Sequence, residues 1–165
     1  MIKKANVTRR EFVGGAAAAL AGIMIVPRHV LAQSGQTPPS EKLRLAYIGS
    51  GGQSGFSQDS LAEHSVTAMC DVDWRRCADA FKKHPDAKKF KDFRKMLDAV
   101  EKDIDAVVVA TPDHTHAVAA INAMKRGKHV YCEKPLAHSI YEVRQMMKAA
   151  QENNVVTQMG NQGHS

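Results

Sequence analysis

The sequence predicts an α/β fold in which a doubly wound parallel sheet is covered by helices on both faces. Two observations lead to this prediction. Short runs that are apolar at every position, rather than at alternate positions, are typical of strands buried on both faces. Segments with apolar residues at helical spacing separate these runs, and such alternation implies right-handed crossovers between parallel strands.

Six runs are predicted strands, and the clearest is a continuous apolar run that ends at Thr111. In chain order the predicted strands are 43–49, 65–71, a weaker 87–90, 105–111, 128–133 and 155–160. Ligands of such sheets bind beyond the carboxyl ends of the strands. The residues expected at that edge are Gly49 to Gly55, Asp71, Thr111 to His116, Glu133 to Pro135 and Gly160 to Ser165.

Four longer segments between the strands have apolar residues at helical spacing. They are residues 73–84, 92–102, 116–128 and 139–154. In the third, Val118, Ile121 and Met124 share the face that we expect to be buried. The fourth is predicted to begin at Ser139, because Glu142 follows three residues later as in a capping box.

Composition suits one globular domain with a short extension, since the chain has 165 residues and 44% hydrophobic content. The net charge is +6, but residues 1–32 alone contribute +4 of it. The rest of the chain therefore carries too little positive charge to indicate a nucleic-acid-binding protein. Three cysteines, Cys70, Cys77 and Cys132, are predicted to be buried apolar side chains rather than a disulfide framework.

Residues 1–32 have the order of an export signal: a basic start, an uncharged apolar run at 13–26, and small or apolar residues at the end. Arg9 and Arg10, followed by Phe12, resemble the core of a twin-arginine signal. The alternative is an uncleaved membrane anchor, although the apolar run is shorter than the roughly 20 residues that span a bilayer. We therefore expect a periplasmic or secreted protein that uses the twin-arginine export machinery.

A glycine-rich segment follows the first predicted strand. Gly49 and Gly51 occupy the first two positions of a G-x-G-x-x-G pattern, in which glycines allow a tight turn and a close approach of a pyrophosphate. Gly52 lies beside them and is a further candidate for cofactor binding. The third position holds Ser54, so either this small residue or the adjacent Gly55 packs the helix against the strand.

Asp71 ends the second predicted strand, 22 residues after Gly49, close to the spacing expected for a carboxylate that binds a ribose hydroxyl. Asp73 is the better predicted cap of the following helix, which leaves Asp71 for the ligand. A carboxylate at this point would repel a 2′-phosphate, so NAD is the predicted cofactor. Arg75 and Arg76 could pair with such a phosphate, so NADP stays an alternative.

These features divide the chain into three segments. Residues 1–32 are the predicted twin-arginine-type signal peptide, with cleavage expected after Ala32. Residues 33–42 are rich in Gly, Pro and Ser and are predicted to be a flexible linker. Residues 43–165 are the predicted dinucleotide-binding Rossmann domain.

His114 and His116 superficially suggest a metal site. Residues two positions apart point away from each other on a helix, so the pair would not share an ion there. Asp113 could join one histidine, but no further cluster of ligands is spaced to complete the shell. No metal site is therefore predicted.

Four segments together carry a family resemblance: IGSGGQSG at 48–55, MCDVD at 69–73, the stretch 107–137, and QMGNQGHS at 158–165. In order and spacing they resemble the N-terminal domain of the Gfo/Idh/MocA oxidoreductases, NAD(P)-dependent enzymes that act mainly on sugars and cyclitols. The resemblance covers about residues 42–165. Its most specific part is T-P-x-x-x-H followed by E-K-P.

The resemblance implies roles for the residues of these two motifs. Lys134 would be the catalytic residue, which hydrogen-bonds the reacting hydroxyl and moves its proton while hydride passes to the nicotinamide. Glu133 would meet the cofactor ribose or tune Lys134, and a cis Lys134–Pro135 bond would fix the direction of the lysine. The implied cofactor contacts are Thr111, Pro112, His116, Glu133 and Pro135.

The resemblance also implies a second domain, which supplies a histidine to the substrate site. Because the chain stops at Ser165, we expect a fragment that binds dinucleotide but is inactive alone, from a protein that is a homo-oligomer at full length. An exported enzyme would keep its cofactor tightly bound and return it to its starting redox state. The alternatives are an NAD-dependent glycoside hydrolase of the same fold and a non-catalytic dinucleotide-binding module.

Overall fold

A computed structural model describes residues 41–162, which contain six strands and five α-helices. The strands are β1 (Arg44–Ile48), β2 (Ser65–Cys70), β3 (Lys88–Phe90), β4 (Ala106–Val109), β5 (His129–Cys132) and β6 (Thr157–Met159). The helices are α1 (Ser54–Ser60), α2 (Ala78–Lys83), α3 (Phe93–Val100), α4 (Asp113–Met124) and α5 (Ile140–Glu152), with a 3₁₀ turn at Glu101–Asp103. All neighbouring strands are parallel, in the order β3-β2-β1-β4-β5-β6. This confirms the predicted α/β fold.

Alternation along the strands divides the buried residues between the two faces of the sheet. On β1, Ala46 and Ile48 join the larger apolar cluster, to which α3, α4 and α5 contribute residues. Leu45 and Tyr47 belong to a smaller cluster, against which Leu61 packs just beyond the end of α1. Both faces of the central strand are therefore buried, as its continuous apolar run predicted.

The order of the strands creates a crevice between β1 and β4. From β1 the chain moves through β2 to β3 at one edge, and it then crosses to β4 and continues to β6 at the other edge. Connections on the two sides of this point leave the carboxyl ends of β1 and β4 in opposite directions. Such a topological switch point is where ligands bind in doubly wound sheets.

Helix α4 differs from its predicted packing. Met124 is buried and Ile121 partly buried, but Val118, expected on the same face, is 47% exposed. The buried residues of α4 are instead mainly alanines, four of the six: His116, Ala117, Ala119, Ala120, Ala123 and Met124. Small side chains let the helix approach the sheet closely, so the largest apolar side chain near its start faces outward.

Helix α5 begins as predicted. The Ser139 side chain is the N-cap and accepts a hydrogen bond from the Glu142 backbone N–H at 3.3 Å. Its hydroxyl also donates to the Glu142 carboxylate at 3.1 Å. The first bond gives a partner to a backbone N–H in the first turn of the helix. Together the two bonds fix the residue at which α5 begins.

The predicted export signal and most of the predicted linker lie outside the described residues. Within residues 41–162, the helices are all too short or too polar to span a bilayer. Cys70, Cys77 and Cys132 are free and buried, which confirms their prediction as buried apolar side chains.

Candidate functional site

A cleft of about 630 Å³ lies at the carboxyl ends of β1, β2 and β4, at the switch point of the sheet. Six of the predicted cofactor-binding residues line it. They are Gly49, Gly51, Gly52, Asp71, Thr111 and Pro112. The structure thus brings together residues from three separate turns, and we call residues 49–55 the glycine turn.

Two glycines of this turn allow the backbone to pack closely. Gly49 has φ +84°, and a Cβ added there would lie 2.5 Å from the Ala110 carbonyl oxygen beyond β4. A Cβ on Gly51 would lie 2.9 Å from the Arg76 carbonyl oxygen. Both separations are too short for any side chain, so the walls of the cleft meet as backbone against backbone.

Within residues 41–162, the N–H groups of Gly52 and Gln53 have no hydrogen-bond acceptor. Gly52 has φ +56°, and the space around its α-carbon is open except for one arginine nitrogen at 3.5 Å from an added Cβ. Both residues line the cleft. Their N–H groups are therefore available to an anionic ligand.

Ser54, rather than Gly55, takes the third position of the glycine pattern. Ser54 is fully buried, and its hydroxyl accepts a hydrogen bond of 2.9 Å from the Gln58 side chain. A Cβ on Gly55 would meet nothing within 4 Å. The alternative that the sequence left open is settled in favour of serine, which packs α1 in place of a glycine.

Asp71 ties the glycine turn to the end of β2. One carboxylate oxygen accepts from the N–H groups of Ser50 at 2.9 Å and Gly51 at 3.3 Å. The other accepts from the Asp73 N–H at 2.9 Å. Partial burial acts to raise the pKa of Asp71, but these hydrogen bonds outweigh it and the pKa is lowered. Asp71 is therefore an anion that shapes the turn as well as lining the cleft.

The prediction that Asp73 caps the next helix is wrong. Helix α2 begins at Ala78 with Cys77 at its N-cap, while Asp73 accepts from the Arg75 N–H at 3.1 Å. Successive four-residue turns, each closed by a bond from the N–H of residue i+3 to the carbonyl of residue i, occupy residues 73–78 instead of an α-helical turn. The close approach of this segment to Gly51 explains why, since the backbone must follow the glycine turn there.

The two arginines after Asp71 lie in different surroundings. Arg75 is 94% exposed and pairs with Asp73 at 3.5 Å. Arg76 lines the cleft beside Gly52, and within residues 41–162 its side chain has no ion-pair or hydrogen-bond partner. Arg76 is thus the arginine that could contact a phosphate in the cleft.

Thr111 and Pro112 form the opposite wall of the cleft. The Thr111 hydroxyl is buried and has no hydrogen-bond partner within residues 41–162. Pro112 is exposed at the N-cap of α4, one residue before the first helical turn. A buried hydroxyl without a partner beside a cleft indicates a position where a ligand completes the hydrogen bonding.

His116 does not line the cleft, although the resemblance implied a cofactor contact. Its side chain is fully buried, with Nε2 2.6 Å from the Thr111 carbonyl oxygen and Nδ1 2.7 Å from the Pro135 carbonyl oxygen. His114 is exposed on the same helix, so the two side chains point apart. Among residues 41–162, no three His, Cys, Asp or Glu side chains are grouped to hold a metal ion.

The second group of predicted residues follows β5, and we call residues 133–139 the lysine loop. Glu133 is 3% exposed, and its N–H donates to the Val109 carbonyl at 2.9 Å. The Lys134–Pro135 peptide bond is cis, as the resemblance implied. Lys134 is exposed, and its amine has no partner within residues 41–162. The structure therefore presents one free amine between two anchored neighbours.

Gln162 is a residue of this group whose role was not predicted. Its side-chain nitrogen lies 2.8 and 2.7 Å from the two Glu133 carboxylate oxygens and 3.2 Å from the Tyr131 hydroxyl. Burial, and then the charge of Glu133, raise the pKa of Tyr131. A Cβ on Gly160 would lie 2.5 Å from that hydroxyl, which explains the glycine. Only the position of Gly160 to Ser165 at the ligand edge indicated this cluster from the sequence.

These features fit a dinucleotide better than a compact ligand. The cleft offers two free N–H groups for an anion, a charged carboxylate, and a buried hydroxyl without a partner. The free amine of Lys134 lies one strand further along the same sheet edge. The free N–H groups and the free amine thus belong to separate groups of residues at one edge of the sheet.

Comparisons with known proteins agree with this chemistry. A family model described as an oxidoreductase family with an NAD-binding Rossmann fold matches residues 43–161. An inositol 2-dehydrogenase of Rubrobacter xylanophilus is 34% identical over 118 residues, which cover 68% of this chain and 33% of that protein. A scyllo-inositol 2-dehydrogenase (NADP(+)) of Bacillus subtilis is 35% identical over 100 residues, covering 61% and 30%.

Solved structures show the same fold. The myo-inositol 2-dehydrogenase of Lactobacillus plantarum superposes with a TM-score of 0.65 at 28% identity, over 72% of this chain and 36% of that one. The scyllo-inositol dehydrogenase of Lactobacillus casei, solved with NAD(H) and scyllo-inositol, gives 0.63 at 25% identity over the same shares. The chain thus spans about a third of the length of these relatives.

Proposed function

The chain belongs to the Gfo/Idh/MocA family of oxidoreductases with an NAD-binding Rossmann fold, and from this premise we propose that it binds NAD in the cleft between β1, β2 and β4. The observation that carries this proposal is the pair of free N–H groups, on Gly52 and Gln53, at the switch point of the sheet. Such groups suit the oxygens of a pyrophosphate. Gly49 and Gly51 have no side chain there that would keep a pyrophosphate away from the backbone.

The remaining cleft residues would hold the rest of the dinucleotide. The Asp71 carboxylate would accept from a ribose hydroxyl, and the Thr111 hydroxyl would gain its missing partner, with Pro112 beside it. The charge of Asp71 favours NAD over NADP, because a 2′-phosphate would meet a second anion. Arg76 is the residue that would offset this repulsion if NADP were bound.

We infer that the complete enzyme transfers hydride between this cofactor and a hydroxyl group of a sugar or cyclitol. Names of relatives support the substrate class, since they include inositol dehydrogenases and a levoglucosan dehydrogenase. The nicotinamide would supply the hydride acceptor. Lys134 would hydrogen-bond the reacting hydroxyl and take or return its proton, which its exposed, unpartnered amine leaves it free to do. Glu133 and Pro135 would hold that lysine in place.

A binding titration tests the proposal directly. The 165-residue chain is titrated with NAD+ and with NADP+, and we expect tighter binding of NAD+. Asp71→Ala should weaken NAD+ binding, whereas Lys134→Ala should leave it unchanged. If NAD+ does not bind the unaltered chain, the proposed function is wrong.

In the complete enzyme, Lys134→Ala should abolish sugar oxidation, because the reacting hydroxyl would lose the group that takes its proton. Release of free sugar from a glycoside without net formation of NADH would favour the glycoside hydrolase instead.

We also propose that the protein is exported folded, through the twin-arginine route, to the periplasm or beyond. The support is the sequence of residues 1–32, with Arg9 and Arg10 before a mild apolar run. Export in a folded state would let the enzyme carry its NAD with it. Replacing both arginines by lysine should retain the protein in the cytoplasm, and unchanged export would point to another route.

A further inference from the structure

One buried side chain, His116, connects the cleft to the lysine loop. Its ring has both nitrogens within hydrogen-bond distance of backbone carbonyl oxygens, Nε2 with Thr111 at 2.6 Å and Nδ1 with Pro135 at 2.7 Å. Thr111 ends the cleft wall, and Pro135 directly follows Lys134. The ring therefore joins two segments that belong to neighbouring strands of the sheet.

The two partners of the ring can only accept hydrogen bonds. Carbonyl oxygens have no proton to give, and an imidazole donates from whichever nitrogen carries a proton. Two short contacts, one at each ring nitrogen, therefore make His116 a bridge between the two carbonyls.

The ring contact determines where Lys134 is held. The lysine side chain itself makes no bond within residues 41–162, so its direction depends on its neighbours. On one side the N–H of Glu133 is bound by the Val109 carbonyl. On the other side, the Pro135 carbonyl is bound by His116. Removing the ring would free one of these two anchors.

We propose that His116 is a positioning residue for Lys134, because its ring bridges the cleft wall at Thr111 and the lysine loop at Pro135. The inference rests on the proposed function only in the role of Lys134. The resemblance implied that His116 contacts the cofactor directly. Because its ring is buried and does not line the cleft, we assign it an indirect effect, through the position of Lys134, instead. His116 thereby couples a change at Thr111 to the lysine.

Nuclear magnetic resonance of the ring tests the bonding without any assay of activity. In the ¹⁵N-labelled chain, the His116 ring should show contacts to both residue 111 and residue 135, with a ring N–H held in a hydrogen bond. The exposed His138 supplies a reference ring in the same sample. A His116 ring that lacks contacts to either residue would overturn the proposal.

A chemical protection experiment tests the positioning. Lys134 is acylated with and without NAD+, and the rate is followed by mass spectrometry for the unaltered chain, for His116→Phe, and for the control His138→Phe. We expect NAD+ to protect Lys134 in the unaltered chain and the control, and the protection to be lost in His116→Phe although NAD+ still binds. Phenylalanine keeps a ring of similar shape and removes both nitrogens.

The other outcomes are also decisive. Equal protection in all three chains would overturn the positioning role. Joint loss of NAD+ binding and of protection in His116→Phe would assign the ring to general support of the fold, and would overturn it too. Failure of the unaltered chain to bind NAD+ would instead overturn the proposed function, while the ring protons of His116 would still decide how it is bonded.

Discussion

The glycine turn and the lysine loop lie at the same edge of one sheet, but they are held in different ways. In the glycine turn, backbone packs against backbone, as between Gly49 and Ala110, and the Asp71 side chain organises it by binding backbone N–H groups. In the lysine loop, side chains from distant elements supply contacts: His116 from α4 lies against the Pro135 carbonyl, and Gln162 from beyond β6 bonds the Glu133 carboxylate.

This difference predicts opposite sensitivities to substitution. A region of close backbone contacts should fail when a side chain is added, because nothing nearby can move aside. A region held by side chains should fail when one is removed, because buried polar groups lose their partners. The two regions can therefore be separated by substitutions that add atoms in one and delete atoms in the other.

The largest effect is expected for Gly49→Ala in the glycine turn. The new Cβ would lie 2.5 Å from the Ala110 carbonyl oxygen, at a φ of +84° that L-residues avoid. We expect a loss of at least about 2 kcal/mol in the free energy of unfolding, together with loss of NAD+ binding. Gly55→Ala is the matched control, since its Cβ meets nothing, and it should stabilise α1 by up to about 1 kcal/mol. Equal effects in urea unfolding would contradict the comparison.

A smaller effect is expected for Gln162→Ala at the lysine loop. Within residues 41–162, the Glu133 side chain would then lack its only hydrogen-bond donor, although Glu133 is 3% exposed. An unsatisfied buried acceptor costs about 1–3 kcal/mol, and entering water should keep the loss near the lower value. Gln158→Ala is the control, because Gln158 is exposed and, among residues 41–162, its side chain bonds only the neighbouring carbonyl of Met159. Equal melting temperatures for the two variants would show that Gln162 does not stabilise the lysine loop.

The smallest effect is expected for Asp71→Asn, and it should depend on pH. The pKa of Asp71 is lowered in the folded chain, so its contribution to stability is present above the unfolded value of about 3.9. It is lost as the pH falls through the lower, folded value. The unfolding free energies of the two chains should thus differ by about 1 kcal/mol or less near neutral pH, since Asp71 is partly exposed, and converge in acid.

Asp79→Asn is the control for this measurement. The Asp79 side chain is 99% exposed and, within the part of the chain that the structure describes, pairs only with Lys82 on the same helix. Its replacement should change the unfolding free energy little at any pH. If the Asp71→Asn difference does not shrink as the solution is acidified, the carboxylate is not what holds the glycine turn to β2.

The strands could be predicted from the sequence within two residues at each end, because a continuous apolar run leaves few alternatives to a buried strand. The glycine turn and Asp71 could also be placed, since their spacing follows from the strand ends. Family membership, predicted from four quoted segments, is confirmed for residues 43–161. The individual roles of Lys134 and the cofactor-contacting residues stay predictions.

What could not be predicted depends on contacts between distant segments. Val118 was expected to be buried because it is large and apolar, but α4 lies so close to the sheet that alanines form the interface. His116 follows a proline in a polar stretch, so nothing local indicated that its ring would be enclosed by residues 111 and 135. The wrong prediction that Asp73 caps the next helix has the same cause, since packing against the glycine turn determines the backbone conformation of residues 73–78.

The lysine loop begins at a residue whose N–H is bound by the Val109 carbonyl, and it ends at Ser139, whose side chain fixes the start of α5. Both ends of the loop are thus fixed by hydrogen bonds to residues outside it. Its length is consequently as constrained as its composition. A substitution such as Lys134→Ala changes one side chain, but an inserted or deleted residue would move the lysine relative to Glu133 or displace the start of a helix. Among related chains, variation in this loop should therefore take the form of exchanged residues at constant length.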